Sequence, residues 1–188
     1  MNRADPYDYL ERLCNLLRVQ ARAAGAAFGL LPVQLEALRY LHSCNRFSDT
    51  PQAVTEYLGQ TKGTVSQTLK VLESKGLVTK VADAADRRVV HLDVTSRGRR
   101  VLAETAPAPA VRGAFASLSE SDRDRVRDGL EVLLMAVQKQ HGGKTFAACI
   151  TCRFNRETPE GHLCGLTGEK LTSPELERIC REHAFPDF

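Results

Sequence analysis

The sequence predicts a mainly α-helical fold with one small β-hairpin, and three observations predict it. Apolar residues recur at helical spacing through most of the first 140 positions. Residues 77 to 81 and 89 to 94 read instead as two short strands joined by a polar loop. Start and stop signals place two short helices just before that hairpin. A hairpin after a helix pair is a wing. The fold class is therefore a winged helix-turn-helix with helices on both sides available for dimerisation.

The first helix covers residues 8 to 24, with Tyr9, Leu13, Leu16, Leu17 and Val19 at roughly helical spacing, and Gly25 and Gly29 interrupt it. Pro32 suits a first helical position, and Val33, Leu35, Leu38 and Leu41 continue the period. Asp49-Thr50-Pro51 is a further start signal, and that short helix ends near Gly59. Thr61 caps the next helix, Val65, Leu69 and Leu72 face its core side, and Gly76 ends it. The polar loop of the hairpin carries Asp86-Arg87-Arg88. A helix opens at Thr95-Ser96-Arg97-Gly98 and breaks at Ala106-Pro107-Ala108-Pro109. Ser119 and Asp122 resemble a helix-start box, and Leu130, Leu133, Leu134 and Val137 form an apolar stripe after it.

Composition excludes several classes. No apolar run approaches the roughly 20 residues of a membrane span. The polar start, Met1 to Leu10, is unlike a secretory signal, so the expected location is cytoplasmic. In that compartment six cysteines favour free thiols or metal ligands over disulfides. No phosphate loop, His-Glu-x-x-His or recognisable Ser/His/Asp motif is present, so no enzyme is expected. The net charge is only +3, but between Thr61 and Arg112 ten basic residues face five acidic ones. Charge gathered in one segment is the footprint of a phosphate-binding surface. On charge alone, a solvated face explains such a segment equally well.

The run from Val65 to Val78, with the wing Asp86-Arg87-Arg88 and the following Leu92-Asp93-Val94-Thr95-Ser96-Arg97-Gly98, resembles the MarR family of regulators. Val94 stands where the family usually has Leu. The resemblance extends over about residues 8 to 140. It implies a homodimer built from the first and last helices, with winged lobes that read pseudo-palindromic double-stranded DNA. The chemistry of the residues agrees. Thr61, Lys62, Thr64, Ser66, Gln67 and Lys70 lie away from the apolar stripe, at or near the helix N-terminus that enters a major groove. Gln67 can pair with adenine, and Thr61 with the helix N-terminus can hold a phosphate. Arg87 or Arg88 on the wing can enter a minor groove, with Asp86 orienting one guanidinium. The expected function is a transcriptional repressor whose effector, a small molecule or a redox event, changes the spacing of the reading heads.

Gly142-Gly143 marks the expected boundary between a reading and dimerisation domain, 1–143, and a tail, 144–188. Cys149, Cys152, Cys164 and Cys180 in the tail read Cys-x2-Cys-x11-Cys-x15-Cys. Four thiolates can hold one metal centre per chain, zinc or alternatively an iron–sulfur cluster, and His183 is a substitute ligand. Unmetallated thiols are the third reading. The tail has few large apolar groups, so a metal staple would offset its chain entropy. Ser173-Pro174-Glu175 marks a short helix expected to reach Cys180. Cys14 lies near where the hydroperoxide-sensing branch of the family keeps its reactive cysteine. The stretch Phe28-Gly29-Leu30-Leu31-Pro32 lacks that branch's tyrosines, so Cys14 and Cys44 are read as core residues. His42, His91 and His141 are read as surface or cap residues. Two other functions fit the tail: a metal-stapled protein-interaction module, and a thiol or metal redox enzyme.

Overall fold

A computed structural model of the protein describes residues 5–105, 109–140 and 144–186. Helix α1 (Pro6–Ala26) begins with Asp5 accepting a hydrogen bond from the Tyr7 amide. Helices α2 (Pro32–Ser43), α3 (Pro51–Leu58) and α4 (Lys62–Ser74) follow. Each of α1, α2 and α3 opens on a proline, whose fixed φ and missing N–H suit that position. Gly25 lies inside α1 rather than interrupting it. It is buried, and a Cβ there would run into the Leu30 backbone.

Helix α4 is bounded at both ends by its own sequence. The Thr61 hydroxyl accepts from the Thr64 amide, satisfying one otherwise unpaired donor. At the other end Gly76 takes φ +66°, the Gly76 amide reaches the Glu73 carbonyl and the Leu77 amide reaches the Leu72 carbonyl. This paired left-handed cap turns the chain straight into strand β1 (Val78–Ala82). Strand β2 (Val90–Val94) pairs antiparallel with it, from Val78 opposite Val94 to Ala82 opposite Val90. The two strands sit within one residue of the expected spans.

Helix α5 (Ser96–Glu104) is capped by Thr95, whose hydroxyl both accepts from the Gly98 amide and donates to the Gly76 carbonyl. Gly98 is needed for a second reason: a Cβ there would collide with the Leu77 carbonyl and the Val94 side chain. Helices α6 (Pro109–Ser117) and α7 (Glu120–Gln140) complete the helical part. Ser119 does open α7, accepting from the Asp122 amide and donating to its carboxylate. The boundary expected at Gly142-Gly143, part of the Ala106-Pro107-Ala108-Pro109 break, and His141 lie outside the described residues.

One core joins these elements. Leu35, Leu38, Val54, Val65, Leu72 and Leu92 are almost completely buried, with Leu69, Leu77, Val78 and Val101 around them. Cys44 belongs to this core as expected, and burial pushes its thiol up to about 12. Cys14, expected in a core, is exposed on α1. Helices α1 and α7 leave apolar surface open: Tyr9 and Leu134 are 62% and 56% exposed, and α7 buries no residue at all.

The tail is built of short pieces: β3 (Ala147–Ala148), a 3-10 turn (Cys149–Thr151), β4 (Asn155–Thr158), β5 (Gly161–Cys164), β6 (Lys170–Leu171), α8 (Ser173–Leu176) and β7 (Ile179–Cys180). Strands β4, β5 and β6 form one small sheet, and β3 pairs with β7. Helix α8 is one turn long and ends before Cys180, which lies in a strand instead. The reason is local: Glu175 satisfies the Thr172 amide and hydroxyl as a cap, but no apolar period continues the helix beyond Leu176.

Candidate nucleic-acid interface

Helix α4 divides cleanly into two faces. Val65, Thr68, Leu69 and Leu72 are buried, while Thr61, Lys62, Thr64, Ser66, Gln67 and Lys70 are all exposed. The buried set follows the i, i+3, i+4, i+7 spacing that fixes a helix against a core. Everything off that stripe is therefore turned outward. The hydroxyls of Thr61 and Thr64 lie 3.0 Å apart at the N-terminus, beside backbone amides that have no partner within the helix. A shallow groove between α3, α4 and β1 is lined by Gln52, Thr55, Lys62, Ser66 and Lys80.

The wing loop is ordered by its own acids. The Asp83 carboxylate accepts from the Ala85 and Asp86 amides at 2.8 and 2.7 Å, closing the turn. Asp86 grips Arg88 through both carboxylate oxygens, at 2.9 and 2.8 Å to Nε and an amino nitrogen. That pairing holds the Asp86 carboxyl below its usual range and the Arg88 guanidinium above its own. Arg87 and Arg88 both lie exposed on this loop.

His91 anchors the wing, a role missed in the sequence. Its Nδ1 lies 2.6 Å from the Asp49 carboxylate and its Nε2 3.2 Å from Asp83. Asp49 precedes α3, and the Leu92 amide also donates to the Asp49 carbonyl at 2.8 Å. Wing and helix pair are thus tied together at one imidazole. The hydrogen bond to Asp49 raises the His91 pKa, with Asp83 adding to it. Asp49 itself is raised because its burial outweighs the same hydrogen bond. No local signal could have shown this contact, since Asp49 lies 42 residues away in sequence.

The tail docks on the helices that position α4. The Ile179 carbonyl accepts from the Asn45 amide at 2.9 Å, and the Arg181 amide donates to Ser48 Oγ at 2.8 Å. The Arg181 guanidinium holds the Glu56 carboxylate of α3 with two bonds of 2.7 Å. This contact draws the Glu56 pKa down to about 2. Phe146 packs edge-on against Tyr57, which is stacked on Tyr40 at 4.3 Å. Arg178 caps the end of α2 by donating to the Cys44 carbonyl.

The four-cysteine metal centre, zinc or iron–sulfur, is a correction. Cys149, Cys152, Cys164 and Cys180 do line one small apolar cavity with Phe47 and Leu171. Yet among the described residues no group of three or more His, Cys, Asp or Glu side chains is placed to hold an ion. The thiols have other partners. Asn45 donates to Cys149 Sγ at 3.3 Å, and the Cys149 and Cys180 thiols line the same cavity. The neighbouring Cys149 thiol holds the Cys180 thiol below its ordinary range, helped by Asn45, Ser48 and the Glu182 amide. The same pairing, with burial, pushes Cys149 up. His183, the substitute ligand, spends its ring nitrogens on the Thr145 and Thr151 hydroxyls. Docking on α2 and α3 does the work expected of a metal staple. The metal-stapled module and the metal redox enzyme lose their basis with the metal.

A wing beside an outward-facing helix defines the class: a winged helix-turn-helix. The fold is that of the MarR-family regulators, and the family model described as "MarR family" matches residues 28–89. Among solved structures, MepR of S. aureus in its DNA-binding conformation is 27% identical, with a TM-score of 0.61, over 71% of this chain and 100% of that one. The S. aureus MepR–DNA complex is 26% identical, with a TM-score of 0.59, over 70% and 98% of the two chains. A MarR transcriptional regulator from Methanosarcina mazei Go1 shares the fold at 19% identity, with a TM-score of 0.60, over 70% and 95%. No curated protein matches the chain. Among the described residues no helix is long and apolar enough to cross a membrane.

Proposed function

We propose that the protein is a homodimeric transcriptional repressor that reads a pseudo-palindromic operator in double-stranded DNA, and is not an enzyme. The observation that carries this reading is the outward polar face of α4 beside a wing bearing Arg87 and Arg88. Its support from relatives is the 26% identical MepR, a fold of the same kind solved with DNA. In this reading Gln67 and Ser66 face base edges in the major groove. Thr61, Lys62, Thr64 and Lys70 hold phosphates and set the register. Arg87 enters the flanking minor groove, while the Asp86–Arg88 pair fixes the loop that presents it.

The open apolar flanks of α1 and α7 supply the partner surface. A two-fold dimer then sets two copies of α4 about one helical turn of DNA apart. An effector would act between flank and reading head. One cavity there, of about 220 Å³, combines Phe28, Leu77 and Val101 with Lys75, Arg97, Arg100 and one acid, Glu104, and has room for a small molecule.

The test is binding to a duplex selected from a random pool, measured across salt concentration. Specific binding whose logarithm falls linearly with log salt is expected. Gln67→Ala should cost about 1–3 kcal/mol and relax the preference at one position of each half-site. Failure to select any duplex sequence would overturn the reading.

A further inference from the structure

Carboxylates converge on one imidazole where the wing joins the helices. His91 sits on β2, opposite Val81 of β1. Its Nδ1 lies 2.6 Å from Asp49 Oδ1, just before α3, and its Nε2 lies 3.2 Å from Asp83 Oδ2, in the wing loop. Asp93, further along β2, adds negative charge beside Asp49, and Asp86 faces Asp83 while gripping Arg88. The Cys44 thiol near Asp49 stays neutral, its pKa pushed up to about 12. An imidazole with an acceptor at each ring nitrogen needs two N–H groups, and only the imidazolium has two. The geometry is therefore that of the charged ring.

Asp83 carries the effect of that proton into the loop. Its Oδ1 accepts from the Ala85 and Asp86 amides while its Oδ2 faces His91, so one carboxylate both closes the turn and meets the ring. The Asp83 amide donates to the Val89 carbonyl and the Val89 amide to the Asp86 carbonyl, at 3.0 and 2.8 Å. Arg87 lies within this closed turn. When the ring gives up one proton, the other stays on Nδ1, where the contact to Asp49 is shorter. Nε2 then turns a lone pair on the Asp83 carboxylate, and two acceptors repel. The base of the wing keeps its hold, because the Leu92 amide still donates to the Asp49 carbonyl. The loop loses its anchor.

We propose that His91 is a positioning residue for DNA readout: its doubly protonated ring seats the loop that presents Arg87, and release of the Nε2 proton to water unseats that loop while β2 stays in place. The ring is only partly buried, so the proton exchanges with solvent. Asp49 first, and then Asp83, raise the His91 pKa. The seated loop therefore predominates below about 6.5 and is lost as pH rises through the folded value. What changes is the minor-groove contact of the wing. Major-groove readout by Gln67 does not change, because the buried stripe Val65, Leu69 and Leu72 fixes α4. The consequence for DNA rests on the regulator reading above; the seating of the loop does not.

Two measurements on the full-length protein separate them. In the first, NMR follows the His91 ring nitrogens and the Ala85 and Asp86 amides from pH 5 to pH 9. One shared midpoint above 6.5 is expected. Asp83→Asn keeps an oxygen for the two loop amides and offers its NH2 to the lone pair on Nε2. In that variant the loop amides should no longer move with the ring, and the loop should stay seated at pH 9. A side chain that merely fills space would not be rescued in this way. A ring that titrates at or below about 6.5, or loop amides that do not move with it, overturns the proposal. The second measurement compares affinity at pH 6 and pH 9, at matched ionic strength. It uses the selected duplex and one whose flanking A·T pairs are replaced by G·C. The preference for the A·T flank should fall about tenfold in wild type and persist at pH 9 in Asp83→Asn. The preference at the position read by Gln67 should not change. An equal flank preference at both pH values, with the ring titrating, overturns the role in DNA readout. Protein that selects no duplex at either pH sinks the regulator reading, and the seating of the loop then stands or falls with the NMR titration.

Discussion

His91 shows how much a single side chain can control. It bridges Asp49 at the start of α3 and Asp83 in the wing, and its pKa is raised chiefly by the bond to Asp49. A group whose folded pKa is raised stabilises most fully below its unfolded value, about 6.5. That contribution is lost as pH rises through the folded value. The stability difference between wild type and His91→Gln should therefore be larger at pH 6 than at pH 9, by thermal unfolding at matched ionic strength. A difference that grows with pH would mean the imidazole works as a neutral hydrogen-bond donor only. Gly98 is the second position where one atom matters. Gly98→Ala puts a Cβ against the Leu77 carbonyl and Val94, where α5 crosses the start of β1. Overpacking of this kind costs about 1–3 kcal/mol. Denaturant unfolding should show a lower midpoint with an unchanged slope.

At the scale of elements, the tail and α3 form one mechanical unit. Arg181 and Glu56 make two bonds of 2.7 Å, with Lys144 3.4 Å from the same carboxylate. Glu56 has its pKa drawn down to about 2, so the linkage sign is the opposite of that of His91. Its contribution is present above the unfolded value, about 4.3, and is lost as pH falls toward 2. Arg181→Ala should accelerate amide exchange in β7 and α3 at neutral pH, and should make little difference near pH 2. Equal protection in both proteins at pH 7 would show that aromatic packing alone seats the tail. That packing is substantial: Phe146 closes over the stacked Tyr40 and Tyr57. The tail needs this docking, because its own cluster is only Cys149, Leu171 and Leu176 with a few partly buried neighbours.

For the whole molecule the question is what covers α1 and α7. Leu130, Leu133, Leu134 and Val137 are between 40% and 56% exposed, and α1 leaves Leu13, Leu16 and Leu17 similarly open. Two long helices with apolar flanks, at either end of a reading head, suit pairing with a second copy. Leu133→Asp with Leu134→Asp should yield a monomer by sedimentation and abolish cooperative binding to a two-half-site duplex. A single half-site should still be bound weakly, because α4 and the wing remain folded. Retention of the dimer in this double variant would move the interface off α7.

The sequence by itself determined the local structure of the reading head. Periods of apolar residues, prolines at first helical positions and Gly59 and Gly76 at left-handed caps are all signals between near neighbours. The two faces of α4 follow from its own spacing, so its exposed residues were legible as a set. Tertiary structure decided what depends on distant parts of the chain. His91 meets Asp49, Arg181 meets Glu56, and the Cys149 sulfur meets Asn45. The cysteine spacing shows four thiols in one short tail, but spacing carries no direction for a side chain. Once the tail closes on α2 and α3, its thiols face one another and the helix connection, and the expected metal centre has no set of ligands to hold it. Hydrogen bonds across 40 to 140 residues leave no period in a sequence, because they cost nothing to write and exist only after folding has brought both ends together.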